Sequence, residues 1–171
     1  MTILRKFLIK AAKHVAFEKH HTKLKAGDKA PAIHGILHDG TEFDAKNYKG
    51  KKIVLYFYPK DSTPACTAQA CSLRDNYKAM LKAGYAVLGV SADTVKKHQN
   101  FIKKYDLPFP LISDPELSLI KAFDVWGKKQ FMGRIFDGII RTTFVINEKG
   151  KIEEVISDVD TAGHAGQIMG N

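Results

Sequence analysis

The sequence predicts an α/β protein built on a central mixed β-sheet flanked by helices. Three features carry that expectation. Ile53-Val54-Leu55-Tyr56-Phe57-Tyr58 is an unbroken apolar and aromatic run between lysines and Pro59, the pattern of a strand buried on both faces. Such runs alternate along the chain with segments of helical spacing, the order that sets helices against a sheet. Near the C-terminus the apolar runs 139–146 and 152–156 flank Asn147-Glu148-Lys149-Gly150, so the last strands are expected to pair as an antiparallel hairpin.

The elements follow in order. Residues 1–22 read as a basic amphipathic extension. Ile3, Leu4, Phe7, Leu8, Ala11, Ala12 and Val15 recur at helical spacing. Seven basic side chains and one acid give residues 1–25 a charge of +6, out of +9 for the chain. A helix packed on the domain or on a sister subunit, a membrane-surface helix and a targeting segment all fit this stretch. The long apolar region and small-residue cleavage site of a secretory signal are missing from it. The domain proper, 23–171, opens at Leu24 to Pro31, where Gly27 and Pro31 punctuate the chain. Asp39-Gly40 predicts a hairpin turn within 33–43. After the central strand, Pro64 starts a helix to about Lys82, ended by Gly84. Residues 85–90 form the next buried strand, Thr94 starts a helix to Tyr105, and 109–112 are a short strand. Asp114-Pro115-Glu116 opens a helix through Phe123, and 163–169 close the chain as a short helix.

Composition bounds the function. A chain of 171 residues with 44% hydrophobic and 26% charged residues fits one ordinary domain with a substantial core. No apolar run reaches the roughly 18 residues of a membrane span, and a cytoplasmic location is expected. Cys66 and Cys71 are the only cysteines, too few for a secreted disulfide scaffold. Without Cys-x-x-Cys or a Cys/His cluster, no metal is expected, and His20-His21 is a poor ligand pair. No recognisable nucleic-acid motif accompanies the basic segment. A basic segment acting on nucleic acid or anionic lipid is therefore an added role to consider, not the main reading.

The chemistry gathers at Cys66. Thr63-Pro64 before it reads as a helix start with a thiol in the first turn, where free backbone amides and the helix field favour the anion. To act as a nucleophile, such a thiol needs a donor beside it and partial exclusion of water. The Thr63 hydroxyl can supply polarity near the sulfur, although Thr63 followed by proline is also an ordinary helix cap. Pro59 and Pro64 can shield the sulfur and stiffen the turn. Cys71 lies five residues on. In a wound helix the two α-carbons are roughly 8–9 Å apart, whereas a disulfide needs roughly 4.4–6.8 Å, so bonding requires local unwinding. The plain alternative for Cys71 is a core side chain.

The stretch Tyr58-Pro59-Lys60-Asp61-Ser62-Thr63-Pro64-Ala65-Cys66, with Cys71 and then Leu73-Arg74-Asp75, closely resembles the peroxiredoxins. The subgroup it is similar to is the bacterioferritin comigratory protein, or Q-type. Pro59, Thr63 and Cys66 fit the family's Pro-x-x-x-Thr-x-x-Cys pattern, Cys71 fits the second cysteine of many Q-type members, and Arg141 matches the family's later arginine. Asp124-Val125-Trp126-Gly127 is similar to a loop of the same subgroup. The resemblance runs from about residue 24 to the C-terminus and implies a thioredoxin-like fold. It also implies a thiol peroxidase without cofactor: Cys66 attacks hydrogen peroxide or an alkyl hydroperoxide, Cys71 resolves the product as an intramolecular disulfide, and a thioredoxin-like dithiol recycles it. Arg141 beside Cys66 would favour the ionised thiol and bind peroxide oxygen; taken alone it reads as a solvated strand residue. Arg74 reads as structural, paired with Asp75, and Trp126 as either pocket or loop. Many members carry glycine where Ala65 stands, which matters if that turn needs a positive φ. A monomer or homodimer is expected. The alternative is a thiol–disulfide oxidoreductase acting on protein disulfides, against which the missing Cys-x-x-Cys counts.

Overall fold

The computed structural model describes residues 16–170. The amphipathic pattern of residues 3–15 lies outside them. A six-stranded sheet runs in the order β1-β4-β3-β2-β7-β8, with β1 Ile36–Leu37, β2 Lys52–Phe57, β3 Tyr85–Ser91, β4 Leu111–Ser113, β7 Thr142–Ile146 and β8 Ile152–Ile156. Strands β2, β3 and β4 are parallel, while β7, β8 and β1 run antiparallel to their neighbours. The mixed sheet is thus as the sequence pattern predicts.

Alternation along β2 divides the interior. Val54, Tyr56 and Tyr58 face one core with residues of helices α1 (Pro64–Asp75), α2 (Tyr77–Lys82), α3 (Val95–Tyr105) and α5 (His164–Met169). Leu55 and Phe57 face the other, beside helix α4 (Ser118–Ala122) and the flanking Phe123, Phe144 and Ile146. Successive strand side chains point to opposite faces, so one apolar run serves two cores. Gly89 on β3 gives the Tyr56 ring its room, because a Cβ there would lie 2.8 Å from Tyr56 Cζ and 2.6 Å from Leu111 Cδ2.

The structure corrects several expected boundaries. The single helix 64–82 is two, broken at Asn76, whose φ and ψ are −110° and 7°. Its side-chain amide donates to the Ser72 carbonyl at 2.8 Å, a local bond that competes with the helix ladder. The short strand begins at Leu111 rather than 109, since Pro108 and Pro110 have no N–H to give a ladder. The helix after Asp114 forms only from Ser118. The Asp39-Gly40 turn is present, with Gly40 at φ +84° and the Gly40 N–H bonded to Leu37 O at 2.9 Å.

The run 139–146 is not one strand. Ile139 ends β6 (Arg134–Ile139), which pairs with β5 (Trp126–Phe131) in a separate two-stranded ribbon, and β7 starts afresh at Thr142. The ribbon escapes a burial-based pattern because most of it is exposed or half-buried. Along its outer edge the chain enters the domain. The His20 N–H donates to Lys128 O at 3.0 Å, Thr22 Oγ1 to Phe123 O at 2.9 Å, and the Lys23 N–H to Asp124 Oδ2 at 2.7 Å. His20 Nε2 also lies 2.9 Å from Asp124 Oδ1. Gly127 leaves space for the His20 ring, since a Cβ there would sit 2.5 Å from His20 Cγ.

Candidate active site

The site lies where parallel β2 ends and α1 begins, the edge at which open α/β sheets place their ligands. On α1 the buried residues are Cys66, Gln69, Ala70 and Leu73, spaced i, i+3, i+4 and i+7, so one helical stripe faces the sheet. Cys66 is on that stripe and only 2% exposed. Cys71 is off it and half-buried, and both thiols are free. Cys66 falls in the first turn, among the amides that have no carbonyl partner inside the helix.

Arg141 reaches the cysteine from 75 residues away. Strand β7 runs antiparallel to β2 with Thr142 opposite Phe57, so the residue before β7 stands next to the end of β2. From there Arg141 Nη2 donates to Cys66 Sγ at 3.2 Å and Nη1 to Gln69 Oε1 at 2.6 Å. Gln69, not singled out by the sequence motif, holds one arm of the guanidinium while the other meets sulfur. Such a charge-assisted contact stabilises negative charge on the sulfur.

Thr63 takes the N-cap position of α1 in an extended conformation but forms no side-chain cap. Its hydroxyl instead donates to the Lys60 carbonyl at 2.9 Å, which leaves the oxygen free to accept. Pro59 is half-buried in the loop after β2. The positive φ of this loop falls on Ser62, at 61°, where a non-glycine residue costs about 1–2 kcal/mol. Ala65 is helical, so alanine meets no such demand there.

Arg74 bonds to Asp75 Oδ1 at 2.9 Å and to the Tyr105 carbonyl at 2.7 Å, tying α1 to the end of α3. Trp126 opens β5 and packs on the α4 side of the sheet, whereas Cys66 belongs to the other core.

Two titratable groups near the site have no sequence signal. Burial holds the Lys129 ammonium below its ordinary value, with repulsion from Arg141 and Lys19 acting the same way and Cys66 opposing. Its Nζ donates to the Ile139 carbonyl at 2.8 Å. In sequence it is one of two adjacent lysines, Lys128 and Lys129. His164 is fully buried. Its Nε2 lies 2.8 Å from Thr143 Oγ1 and its Nδ1 2.9 Å from Gln167 Oε1. Burial lowers its pKa from 6.5, and the Arg141 charge lowers it further, against a raising Gln167 hydrogen bond and Asp160. The native state therefore binds this proton less readily than the unfolded chain. Stability contributed here is present above pH 6.5 and is lost as pH falls through the lowered native value. Urea unfolding at pH 7.5 and 5 is expected to show that loss, and His164→Gln to flatten the profile between about pH 6.5 and 5. An unchanged slope would remove His164 from the account.

A buried cysteine at a helix start, with an arginine on its sulfur, at the edge of a mixed sheet, defines a thiol-dependent oxidoreductase of the thioredoxin-like class. The sequence pattern of the AhpC/TSA family matches residues 26–155. The chain is 45% identical over 146 residues to "Peroxiredoxin Bcp" of Escherichia coli K12, covering 85% of this chain and 94% of that one. It is 43% identical over 147 residues to "Putative peroxiredoxin bcp" of Coxiella burnetii, covering 86% and 97%. The solved peroxiredoxin Q of Xanthomonas campestris (structure F4) superposes with a TM-score of 0.77 at 38% identity, over 85% of this chain and 94% of that one. The chain belongs to the AhpC/TSA family, in its peroxiredoxin Bcp/Q branch, and is a peroxidase with a thioredoxin-like fold. Among the described residues, no helix is long and apolar enough to cross a membrane.

Proposed function

We propose that the chain reduces hydrogen peroxide or an alkyl hydroperoxide at Cys66, and that Cys71 and a thioredoxin-type dithiol complete the cycle. The observation that carries this reading is the Arg141 Nη2 donor 3.2 Å from a buried Cys66 sulfur. The Cys66 thiolate attacks one peroxide oxygen and the O–O bond breaks. The electron pair leaves on the second oxygen, which takes a proton and departs as water or alcohol. Cys66 is left as sulfenic acid. Arg141 offers N–H donors where negative charge develops, and the Thr63 hydroxyl, whose hydrogen goes to the Lys60 carbonyl, has an oxygen left to accept from a peroxide O–H. Pro59, half-buried in the loop after β2, stiffens the turn that leads to Thr63.

Resolution then requires α1 to unwind, since both cysteines lie in the same helix. Thr67 Oγ1 and Gln69 Nε2 on this helix, and Tyr56 Oη beneath it, are buried with no hydrogen-bond partner among the described residues. Each unsatisfied group costs about 1–3 kcal/mol. Opening the first turns to water relieves part of that cost, which supports a helix poised to unwind. The Cys71 thiolate attacks the sulfenic sulfur, water leaves, and a Cys66–Cys71 disulfide forms. A dithiol returns two electrons by thiol exchange. Such a cycle suits a reducing compartment such as the cytoplasm. The near-complete burial of Cys66 counts against direct attack on the disulfides of folded proteins.

Stopped-flow peroxide consumption coupled to thioredoxin, with mass spectrometry of the oxidised protein, tests the cycle. Cys71→Ser is expected to consume one equivalent of peroxide and then stall. Thioredoxin-driven turnover of that variant at the wild-type rate would exclude Cys71 as the resolving thiol.

A further inference from the structure

The loop before Cys66 is anchored from below by a buried polar cluster that the peroxide chemistry does not use. The Asp61 carboxylate accepts from Tyr58 Oη at 2.5 Å on Oδ1, and its Oδ2 lies 2.7 Å from His98 Nδ1. The Asp61 N–H donates to Asp93 Oδ2 at 2.8 Å. Asp93 is itself set by Ser91 Oγ, which donates to the same oxygen at 2.7 Å, and by Ser113 Oγ on its carbonyl at 2.6 Å. Asp61, Asp93 and His98 are 8%, 7% and 0% exposed. These three could be read as a metal cluster by residue type, but their facing atoms are already engaged with one another and with Tyr58 and Ser91.

The protonation of the pair follows from its contacts. His98 Nε2 lies 3.1 Å from the Ile112 carbonyl. A carbonyl only accepts, so Nε2 carries a hydrogen, and the Nδ1–Oδ2 contact needs one more. Asp61 and His98 therefore share a single proton and are neutral as a unit, which suits their burial. The cluster joins four elements, the ends of β2 and β3, the start of α3 and β4, to one loop residue. That residue lies two before Thr63 and one before Ser62, whose left-handed backbone needs external support.

We infer that Asp61 and His98 are positioning residues: they clamp the Pro59–Thr63 loop so that α1 can unwind after Thr63 while Thr63 itself keeps its place. This rests on the peroxidase cycle proposed above. The clamp keeps the wound form assembled for the first step and marks where unwinding stops in the second. Losing it moves the two steps in opposite directions. Oxidation of Cys66 slows because Thr63 and the first turn are less often in place. Disulfide formation keeps its rate or quickens because the unwound form is more populated.

The test uses Asp61→Ala, Asp61→Asn and Tyr58→Phe in the full chain. Amide hydrogen exchange of reduced protein, without peroxide, is expected to rise about tenfold or more over residues 61–67 in Asp61→Ala, with the core strands less affected. Stopped-flow oxidation by hydrogen peroxide is expected to separate a slowed Cys66 step from an undiminished disulfide step. Asp61→Asn should restore the wild-type pattern, because its amide can donate to a neutral His98 Nδ1 and its oxygen can accept from Tyr58. A merely structural role would lower the melting temperature without that split or that rescue. Unchanged exchange in Asp61→Ala, a parallel fall of both steps, or an Asn variant behaving like Ala would overturn the inference. If Asp61→Ala does not fold, Tyr58→Phe removes one bond to the same carboxylate and must show the split at smaller size; no change there also overturns it. Should wild-type protein consume no peroxide while exchange responds as expected, the peroxidase cycle fails and the clamp stands.

Discussion

Cys66→Ser is expected to lose peroxide consumption altogether, by a factor on the order of 10⁴–10⁶, the scale of loss when a covalent nucleophile is removed. Serine keeps the shape of the side chain at a position only 2% exposed, so the fold should survive the change. Its hydroxyl is not ionised near neutral pH, and the Arg141 donor then faces an oxygen that carries no charge. Stopped-flow mixing with excess peroxide, alongside a far-ultraviolet circular dichroism spectrum, separates lost chemistry from lost structure. A folded Cys66→Ser protein that still consumes peroxide would move the reaction to another sulfur, and Cys71 is the only other cysteine in the chain.

Arg141→Met is the second large expected effect. It keeps the length of the side chain but removes both guanidinium donors, one on Cys66 Sγ at 3.2 Å and one on Gln69 Oε1 at 2.6 Å. Loss of a preorganised donor at the site of developing charge costs about 10²–10³ in rate, and that is the fall expected in the second-order rate with hydrogen peroxide. Arg141→Lys should recover part of it. A lysine restores a cation but not the planar fork that serves sulfur and Gln69 together. A rate for Arg141→Met within a factor of about two of wild type would show that the guanidinium does not act on the reacting atoms.

The Cys66 region was readable because it is local. Proline, threonine and cysteine at fixed offsets after a six-residue apolar strand describe a strand, a turn and a helix start within one stretch of chain. Helix breaks and strand edges were less readable, since they depend on single competing bonds. Asn76 breaks the helix through its own amide, and Pro110 delays β4 by one missing donor. The β5–β6 ribbon was missed for another reason. Its alternating faces are mostly exposed, so hydrophobic patterning carries no signal of it. Lys129 and Gln69 stood in unremarkable contexts, a lysine pair and a helix interior. Asp61 and His98 lie 37 residues apart with nothing between them to announce a contact.

Residue order alone was enough for the α/β class, the alternation of buried strands with helices, and the placement of a thiol in the first turn of a helix. Those properties follow from short-range periodicity and from torsions that proline and glycine control. The meeting of Arg141 with Cys66, the bracing of that arginine by Gln69 and the anchoring of the Thr63 loop by Asp61 and His98 were decided only in three dimensions. The first depends on strand register, with Thr142 set opposite Phe57, and all three on which side chains are buried together. Neither is a property of any segment taken singly.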